Sequence, residues 1–380
     1  MTKIFLPIIL SLTIIASTAS VSAQATDNGD ALYSKALSFQ QAGDKANAVE
    51  HFLKAYYAYE KMKDSTKGLA CARAAAELGD AEGQLLLGLF YFYGSKDIKS
   101  DFQEAIEWYK KSANQGYAPA QCELAYCYQE GYGVYEDPEL AYQWYKKAAE
   151  KGDVVGQCEL GHCYADGYGV DTDYSQAVYW YKKASEQGDE EAQYNLGRCY
   201  AYGYGVAKDA QQAFYWYKKS AEQGYDDAQF NLGLCYDNGL GVAKDFQQAA
   251  YWYGKAAEQH HPTAIHNLGL CYANGEGVPK NEQKAAEYFK KAADLGNNGA
   301  LYNLAVCYEQ GTGVAKDIHK AIELYKKAAE KGYVDAQYNL GVIYYNGNDV
   351  PRNAAEAKKW LKKAAAQGDN GALDLLNKLK

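Results

Sequence analysis

Basic residues are in the minority in this chain of 380 residues, with 39 Lys and Arg against 48 Asp and Glu. The formal net charge is therefore −9 at pH 7. Nucleic acids and anionic membranes both attract basic surfaces. The charge balance disfavours both classes of partner, and we expect neither for this protein.

The sequence also lacks the groupings of residues that catalysis and metal binding require. Its Gly-x-Gly loops are not followed by Lys-Ser or Lys-Thr, which a phosphate-binding loop needs. His260, His261 and His266 lie close together, but no Cys or carboxylate joins them at the spacing of a metal site. Ser, His and Asp residues show no catalytic grouping. We therefore expect no catalytic residues, no metal, no cofactor and no enzymatic activity.

Long apolar runs are missing everywhere except at the N-terminus. There Lys3 precedes the apolar run Ile4–Ala16, and Val21-Ser22-Ala23 offers a small-x-small cleavage site. This order is typical of a secretory signal peptide, and the run is shorter than the roughly 20 residues that span a bilayer. We predict that residues 1–23 are cleaved and that no membrane span remains; a retained N-terminal anchor is the alternative. The protein is then exported, to the periplasm or outside the cell, or to the endoplasmic-reticulum lumen in a eukaryote.

A unit of thirty-six residues recurs down most of the chain. A small residue heads each unit, and we count positions from it as zero; these residues are Ala120, Gly156, Ala192, Ala228, Ala264, Ala300 and Ala336. A Tyr follows at position eight every time. A fixed period in this range indicates stacked supersecondary units. Function is therefore expected on a long surface rather than in a pocket.

Each unit is predicted to form two helices. In the first helix, apolar residues at positions zero, four, seven and eight share one face, as in Ala120, Leu124, Cys127 and Tyr128. The second begins after a capping column made of Asp101, Asp137, Asp173, Asp209, Asp245, Asn281, Asp317 and Asn353. A Gly such as Gly188 closes it. A Gly at position five of the first helix indicates close approach of a neighbouring helix.

Nine Cys in an exported protein would ordinarily suggest disulfides. Six of them form one column with a spacing of thirty-six residues: Cys127, Cys163, Cys199, Cys235, Cys271 and Cys307. Equivalent points on packed helices lie about 8–10 Å apart, beyond the roughly 7 Å limit for bridged Cα atoms. We therefore predict free, buried thiols that act as small apolar residues. Bridges that involve Cys71, Cys122 or Cys158 are the alternative.

The strings Ala192–Tyr200, Gly203–Val206 and Trp216–Lys219 resemble the Sel-one-like repeat family, which is related to tetratricopeptide repeats. The resemblance implies an all-α fold, a right-handed α-solenoid of helical hairpins, acting as an adaptor in protein complexes. A cysteine-rich bacterial branch bridges each hairpin with a Cys near the end of the second helix. The matching stretch here, Lys147–Glu150, has none. The alternative function, a cell-wall enzyme acting on β-lactams or peptidoglycan, belongs to that branch.

The repeat also predicts domain boundaries. Residues 24–30 are expected to be a short disordered linker and 31–80 to form helices similar to a tetratricopeptide repeat. Eight units follow over 81–368, at about 81–116, 117–152, 153–188, 189–224, 225–260, 261–296, 297–332 and 333–368. A capping helix is expected at 369–380, because the apolar end of a solenoid needs a cover.

One face of the first helices is left free of core residues and carries an Asn at position three with an aromatic residue at position two. By resemblance to tetratricopeptide arrays this face lines a concave groove. The predicted partner site is Tyr194, Asn195, Phe230, Asn231, His266, Asn267, Tyr302, Asn303, Tyr338 and Asn339. An amide can donate to and accept from a peptide backbone, and Tyr is favoured at interfaces. The partner is then a protein or peptide, and the alternative is that Asn bonds to the adjacent helix.

Overall fold

The computed structural model describes residues 29–379, and in that range it contains twenty α-helices and no strand. The all-helical fold predicted from the repeat is therefore confirmed. The helices form two compact units, which meet in sequence between Asp153 and Val154. In both units each helix packs mainly against the helices before and after it in the chain. This is the hairpin stacking of an α-solenoid.

The first compact unit contains seven helices. They are α1 (Gly29–Gln41), α2 (Lys45–Lys61), α3 (Ser65–Glu77), α4 (Ala81–Tyr93), α5 (Phe102–Asn114), α6 (Ala118–Glu130) and α7 (Pro138–Glu150). The helices α4 and α6 are first helices of the repeat, and α5 and α7 are second helices.

The second compact unit contains thirteen helices, of which α8 to α19 alternate between first and second helices. They are α8 (Val154–Asp166), α9 (Tyr174–Glu186), α10 (Glu190–Tyr202), α11 (Ala210–Gln223), α12 (Asp226–Asn238), α13 (Phe246–Glu258), α14 (Pro262–Asn274), α15 (Glu282–Asp294), α16 (Asn298–Gln310), α17 (Ile318–Glu330), α18 (Val334–Asn346), α19 (Ala354–Ala366) and α20 (Asn370–Lys378). The short α20 packs against α19.

The capping column determines where each second helix begins. All eight side chains accept a backbone N–H from the first turn, as Asp245 does from Gln247 and Gln248 at 2.9 and 3.1 Å. The closing Gly residues have positive φ, for example 101° at Gly188. His260 takes the place of one of them, with φ of 63°. Both predicted signals are confirmed.

Close helix contact explains the Gly at position five. A Cβ placed on Gly233 would lie 2.6 Å from the ring of Tyr253, which is buried on the second helix of the same hairpin. The side chain of a larger residue would push the two helices apart. The Gly therefore sets the depth to which the aromatic ring can enter the hairpin.

The loops between the two helices make a second backbone contact, this time with the preceding hairpin. A Cβ on Gly277 would lie within 1.9 Å of the carbonyl oxygen of Phe246, the first residue of α13. Gly241 and Gly313 meet Ala210 and Glu282 in the same way. Only a residue without a side chain fits, so successive hairpins rest on each other through main-chain atoms.

Glutamine pairs, each made of one buried and one exposed side chain, join the two helices of a hairpin, and the buried Gln also bonds to the preceding hairpin. Gln223 Nε2 donates to Gln193 Oε1 at 2.9 Å, and Gln193 Nε2 donates to the carbonyl of Ser185 at 3.2 Å. The same pairing recurs at Gln84/Gln115, Gln157/Gln187, Gln229/Gln259 and Gln337/Gln367. Lys151 takes the second place in one layer, and the buried Gln121 Oε1 there has no hydrogen-bond partner.

All nine Cys are buried and none forms a disulfide, as predicted from the column. Cys122 Sγ donates to Asp153 Oδ1 at 3.2 Å. Burial raises the pKa of the thiols, to about 11 for Cys199 and about 12 for Cys235. The thiols therefore stay protonated at neutral pH and behave as small apolar groups.

Candidate functional site

The ten residues predicted to contact a partner lie on five first helices, α10, α12, α14, α16 and α18. Nine of them are partly buried, and Asn195 is buried. Side-chain contacts link neighbouring first helices directly, so positions two, three and six of these helices share one surface. We call this surface, within residues 154–379, the first-helix face.

The Asn column bonds to the protein itself. Asn303 Nδ2 lies 2.8 Å from Nε2 of His266 on the preceding first helix. Asn339 Nδ2 donates to the hydroxyl of Tyr302, also one unit earlier, at 3.4 Å. Asn231 Nδ2 instead donates to the Asp227 carbonyl of its own helix at 2.8 Å. These bonds use the amide nitrogen and tie first helices together or to themselves.

The second helices reach the same amides through a tyrosine hydroxyl. Tyr325 OH donates to Glu309 Oε2 at 2.6 Å and accepts from Asn339 Nδ2 at 3.2 Å. An equivalent set joins Tyr253 to Asp237, at 3.1 Å, and to Asn267. Sequence reasoning missed this carboxylate–Tyr–Asn set. Its signal was present, since an acid at position nine accompanies the Tyr in both units.

The layer between α14 and α16 supports this account of the hydroxyl. There the second helix carries Phe289 in place of Tyr, and position nine is Ala273. Without a hydroxyl or an acid, Asn303 bonds to His266 instead. In this layer the hydroxyl and the acid are absent together, and the Asn finds another partner, as expected where partly buried polar groups must be satisfied.

The aromatic residues at position two pack against the residue that precedes the next first helix. Phe230 stacks on His261 with ring centroids 4.8 Å apart, and Tyr302 lies 5.3 Å from Tyr333. In the same place, Tyr194 lies 5.1 Å from Tyr225. These rings therefore stabilise the stacking of the hairpins and also form part of the first-helix face.

An ionic group lies at the N-terminal end of the face. His162 Nδ1 is 3.4 Å from Glu159 Oε2, and its Nε2 is 3.8 Å from Glu191 Oε1 and 3.0 Å from Asn195 Nδ2. Burial opposes the charge on His162, but Glu159, Glu191 and Asp166 outweigh it and raise the pKa to about 9. By contrast, burial lowers the pKa of His266.

Position six supplies a column that sequence reasoning did not single out. It holds Leu234, Leu270, Val306 and Val342, all partly buried. Earlier units carry His162 and Arg198 at this position. The face therefore changes from polar to apolar along the chain, between α10 and α12.

Charge is divided between the two sets of helices. The first helices α8, α10, α12, α14, α16 and α18 contain one Arg, Arg198, and no Lys. Their carboxylates are Glu159, Asp166, Glu190, Glu191, Asp226, Asp227, Asp237, Glu309 and Asp335. Every second helix from α9 to α19 carries Lys, in most cases as an adjacent pair. The first helices are thus acidic and the second helices bear the basic residues.

The cluster of His residues is explained by local structure. His261 Nδ1 accepts from the backbone N–H of Ala264 at 3.0 Å and so caps α14, while its Nε2 lies 3.2 Å from Asp227. Over residues 29–379, no group of three His, Cys, Asp or Glu side chains has the geometry to hold a metal ion. Over the same residues, every helix is too short or too polar to cross a membrane.

Comparisons with known proteins agree with this architecture. The model of the Sel1 repeat family matches residues 56–80, 81–117, 118–153, 154–189, 190–225, 226–261, 262–297, 299–333 and 334–369. A Sel1 repeat protein from Oxalobacter formigenes is 33% identical, with a TM-score of 0.60, over 81% of this chain and 89% of that protein.

Two further relatives are matched over smaller parts of their own length. A protective antigen of uropathogenic Escherichia coli strains, which displays an SLR fold, is 38% identical with a TM-score of 0.76. The alignment covers 81% of this chain and 66% of the antigen, just under two thirds. An F-box protein of Arabidopsis thaliana is 40% identical over 73 residues, which are 19% of this chain and 20% of the plant protein. With nine matched repeats across most of its length, the chain belongs to the Sel1 repeat family.

Proposed function

We propose that this protein is an exported, non-enzymatic scaffold that binds a protein or peptide segment along the first-helix face. The single observation that carries the proposal is the composition of that face. Partly buried apolar side chains at position six run beside aromatic rings and amides over successive helices. Such a surface buries apolar side chains of a partner while offering hydrogen bonds to its backbone.

Export rests on the N-terminal sequence, which lies outside the described residues. Two features support binding on the face rather than catalysis. The family consists of repeat proteins whose surfaces are extended, and burial raises the pKa of thiols such as Cys199 and Cys235, which makes them poor nucleophiles. The purified protein is therefore expected to leave a chromogenic β-lactam intact. Measurable turnover would contradict the non-enzymatic part of the proposal.

Site-specific photocrosslinking in the native compartment tests the position of the partner. A photoreactive residue replaces Val306, on the first-helix face, or Tyr215, which is 46% exposed on α11. We expect a defined adduct from Val306 and none of the same mass from Tyr215. Adducts from Tyr215 alone would place the binding surface on the second helices and overturn the proposal.

A variant series measures the contribution of the predicted residues. Asn231→Ala, Asn267→Ala and Asn303→Ala are combined, and the control combines Tyr179→Ser, Tyr215→Ser and Tyr251→Ser on second helices. The Asn variant is expected to lose the photocrosslinked adduct while the Tyr variant keeps it. Circular dichroism confirms that both remain helical, because the Asn side chains also bond within the protein. Retention of the adduct by a folded Asn variant would restrict those residues to a structural role.

A further inference from the structure

The partner of the first-helix face has a definable chemistry, because the charges and apolar groups of the face are not evenly distributed. Seven of the carboxylates of the first helices, from Glu159 to Asp237, lie on α8, α10 and α12. The apolar residues of position six begin at Leu234 and continue to Val342 on α18. The face therefore has an acidic part and an apolar part that overlap on α12.

We propose that the segment bound there is an extended polypeptide that carries Lys or Arg residues together with apolar side chains. Its basic side chains lie over α8 to α12, and its apolar side chains pack against position six of α12 to α18. This inference rests on the proposed function. It adds the chemistry of the partner's side chains and the helices over which each kind of side chain lies. Neither the family match nor the relatives assign a basic partner.

Charge complementarity is the first argument. The basic groups on α8, α10 and α12 are Arg198 and His162, and His162 lies 3.4 Å from Glu159 and 3.8 Å from Glu191. Asp227 lies 3.2 Å from Nε2 of His261, which precedes α14. In the hairpins of the second compact unit, the Lys residues that lie on helices are all on second helices, where pairs such as Lys255–Glu258, at 3.2 Å, form within one helix. Lys208, Lys244, Lys280 and Lys316 lie in the loops between the two helices of a hairpin. A basic segment thus meets attraction on the first helices and repulsion on the second, which sets the side on which it binds.

The column at position minus one is the second argument. Glu191, Asp227 and Asp335 each precede the buried Ala of their unit and occupy the same place on the helix surface. Glu191 and Asp227 are partly exposed and Asp335 is exposed. The carboxylates therefore lie beside the aromatic and apolar columns, where a peptide that buries its apolar side chains also brings its basic groups close.

Three synthetic peptides of equal length serve as probes: alternating Lys and Leu, alternating Ser and Leu, and alternating Glu and Leu. Binding to the full-length mature protein is measured by fluorescence anisotropy between low and high salt. We expect the Lys–Leu peptide to bind at least tenfold more tightly than the Glu–Leu peptide at low salt, with the difference falling as salt screens the charges. Equal affinities, or a difference that salt does not change, would overturn the charge inference.

Matched variants locate the effect. The test variant combines Asp166→Asn, Glu191→Gln and Asp227→Asn, all on α8 to α12, and the control combines Glu186→Gln, Glu222→Gln and Glu258→Gln on second helices. Each removes three carboxylates. We expect the test variant to bind the Lys–Leu peptide about tenfold more weakly, because each lost carboxylate removes an ion pair with the peptide that contributes up to about 0.5 kcal/mol. The control variant should bind the peptide with the affinity of the wild type. An equal loss in both variants would assign the effect to net charge and overturn the proposal.

The outcomes separate this inference from the proposed function. If all three peptides bind equally and a Leu270→Ser, Val306→Ser variant loses them all, the face binds peptides without charge selection. The proposed function then stands, and the charge inference fails. If no peptide binds to the folded protein, the face does not take extended segments, and both fail together.

Discussion

The hydroxyl of Tyr325 donates a hydrogen bond of 2.6 Å to Glu309 Oε2. Tyr325 is fully buried on a second helix, whereas Glu309 lies on the first helix of the same hairpin. The bond therefore connects the buried core of the hairpin to its first helix. Asn339 of the next hairpin donates to the same oxygen, so one hydroxyl joins three helices.

Tyr325→Phe should lower the free energy of unfolding by about 1–3 kcal/mol, because it removes this hydroxyl and leaves Glu309 and Asn339 without it. Chemical denaturation of the wild type and the variant measures the change. A double-mutant cycle with Glu309→Ala should give a coupling energy of at least about 0.5 kcal/mol. Additive effects would show that the bond contributes nothing of its own.

Glu123→Gln should make the protein less sensitive to alkaline pH. Glu123 is buried with no hydrogen-bond partner for Oε1, and burial raises the pKa of its carboxyl to about 8. Because the unfolded chain releases this proton near pH 4.5, the native state holds it over the interval up to about pH 8. Stability is therefore lost progressively as the pH rises through that interval.

Melting temperatures at pH 5 and pH 8 test this prediction. The melting temperature of the variant should exceed that of the wild type at pH 8, and by much less at pH 5. The corresponding difference in the free energy of unfolding is on the order of a few kcal/mol at most. The other titrating groups are common to both proteins and cancel in the comparison. The same gain at both pH values would show that the carboxyl does not titrate in this range.

Lys151→Gln should raise the free energy of unfolding by about 1 kcal/mol. In five other layers a Gln at this place donates to the buried Gln of the preceding first helix, whereas Gln121 Oε1 has no partner beside Lys151. The converse change, Gln259→Lys, should destabilise by a similar amount because it leaves Gln229 Oε1 unpaired. Thermal denaturation compares the two, and a change of the same sign in both would contradict the pairing account.

Two glycines on helices predict opposite responses to the same substitution. Gly233→Ala should destabilise by about 1–3 kcal/mol, because its new Cβ meets the buried ring of Tyr253. Gly254→Ala should stabilise by about 0.5–1 kcal/mol, since nothing lies within 4 Å of a Cβ there and Ala favours the helix. Unfolding in urea checks both, and equal effects would show that contact does not decide the outcome.

His260→Gly should stabilise the turn between α13 and α14. His260 adopts φ of 63°, where residues with a side chain are strained by about 1–2 kcal/mol and Gly is not. Part of that gain is offset by the greater freedom of Gly in the unfolded chain. The reverse change at the equivalent Gly296→His should lower the melting temperature, and an unchanged value for both variants would show that the turn carries no strain.

The helices could be predicted from the sequence because their signals are local. The caps, such as Asp245, and the closing glycines act within a few residues of each helix end, and the apolar stripe depends only on helical geometry. The hydrogen-bond partners of the Asn column could not be predicted in this way. The partner of Asn303 is His266, on another helix and thirty-seven residues earlier, and a recurring residue type does not reveal the direction of its bond.

The candidate site is therefore only partly what the sequence indicated. The ten predicted residues do come together on neighbouring helices, but their binding role stays a prediction, since the amides and rings also hold the hairpins together. The apolar column at position six was overlooked because it adjoins the core stripe, so Leu270 looks like an ordinary core residue in the sequence. The carboxylate–Tyr–Asn sets combine residues from three helices, and only the packed hairpins show which acid meets which hydroxyl.

The main-chain contact between each loop and the preceding hairpin has a consequence for how such a surface can change. Gly277 and Phe246 meet through backbone atoms alone, so the distance between hairpins does not depend on the side chains exposed on either one. Substitutions of first-helix residues that make no contact with another hairpin can then alter the chemistry of one hairpin without shifting its neighbours. A protein built this way can change its binding surface one hairpin at a time, while the interval between hairpins stays constant.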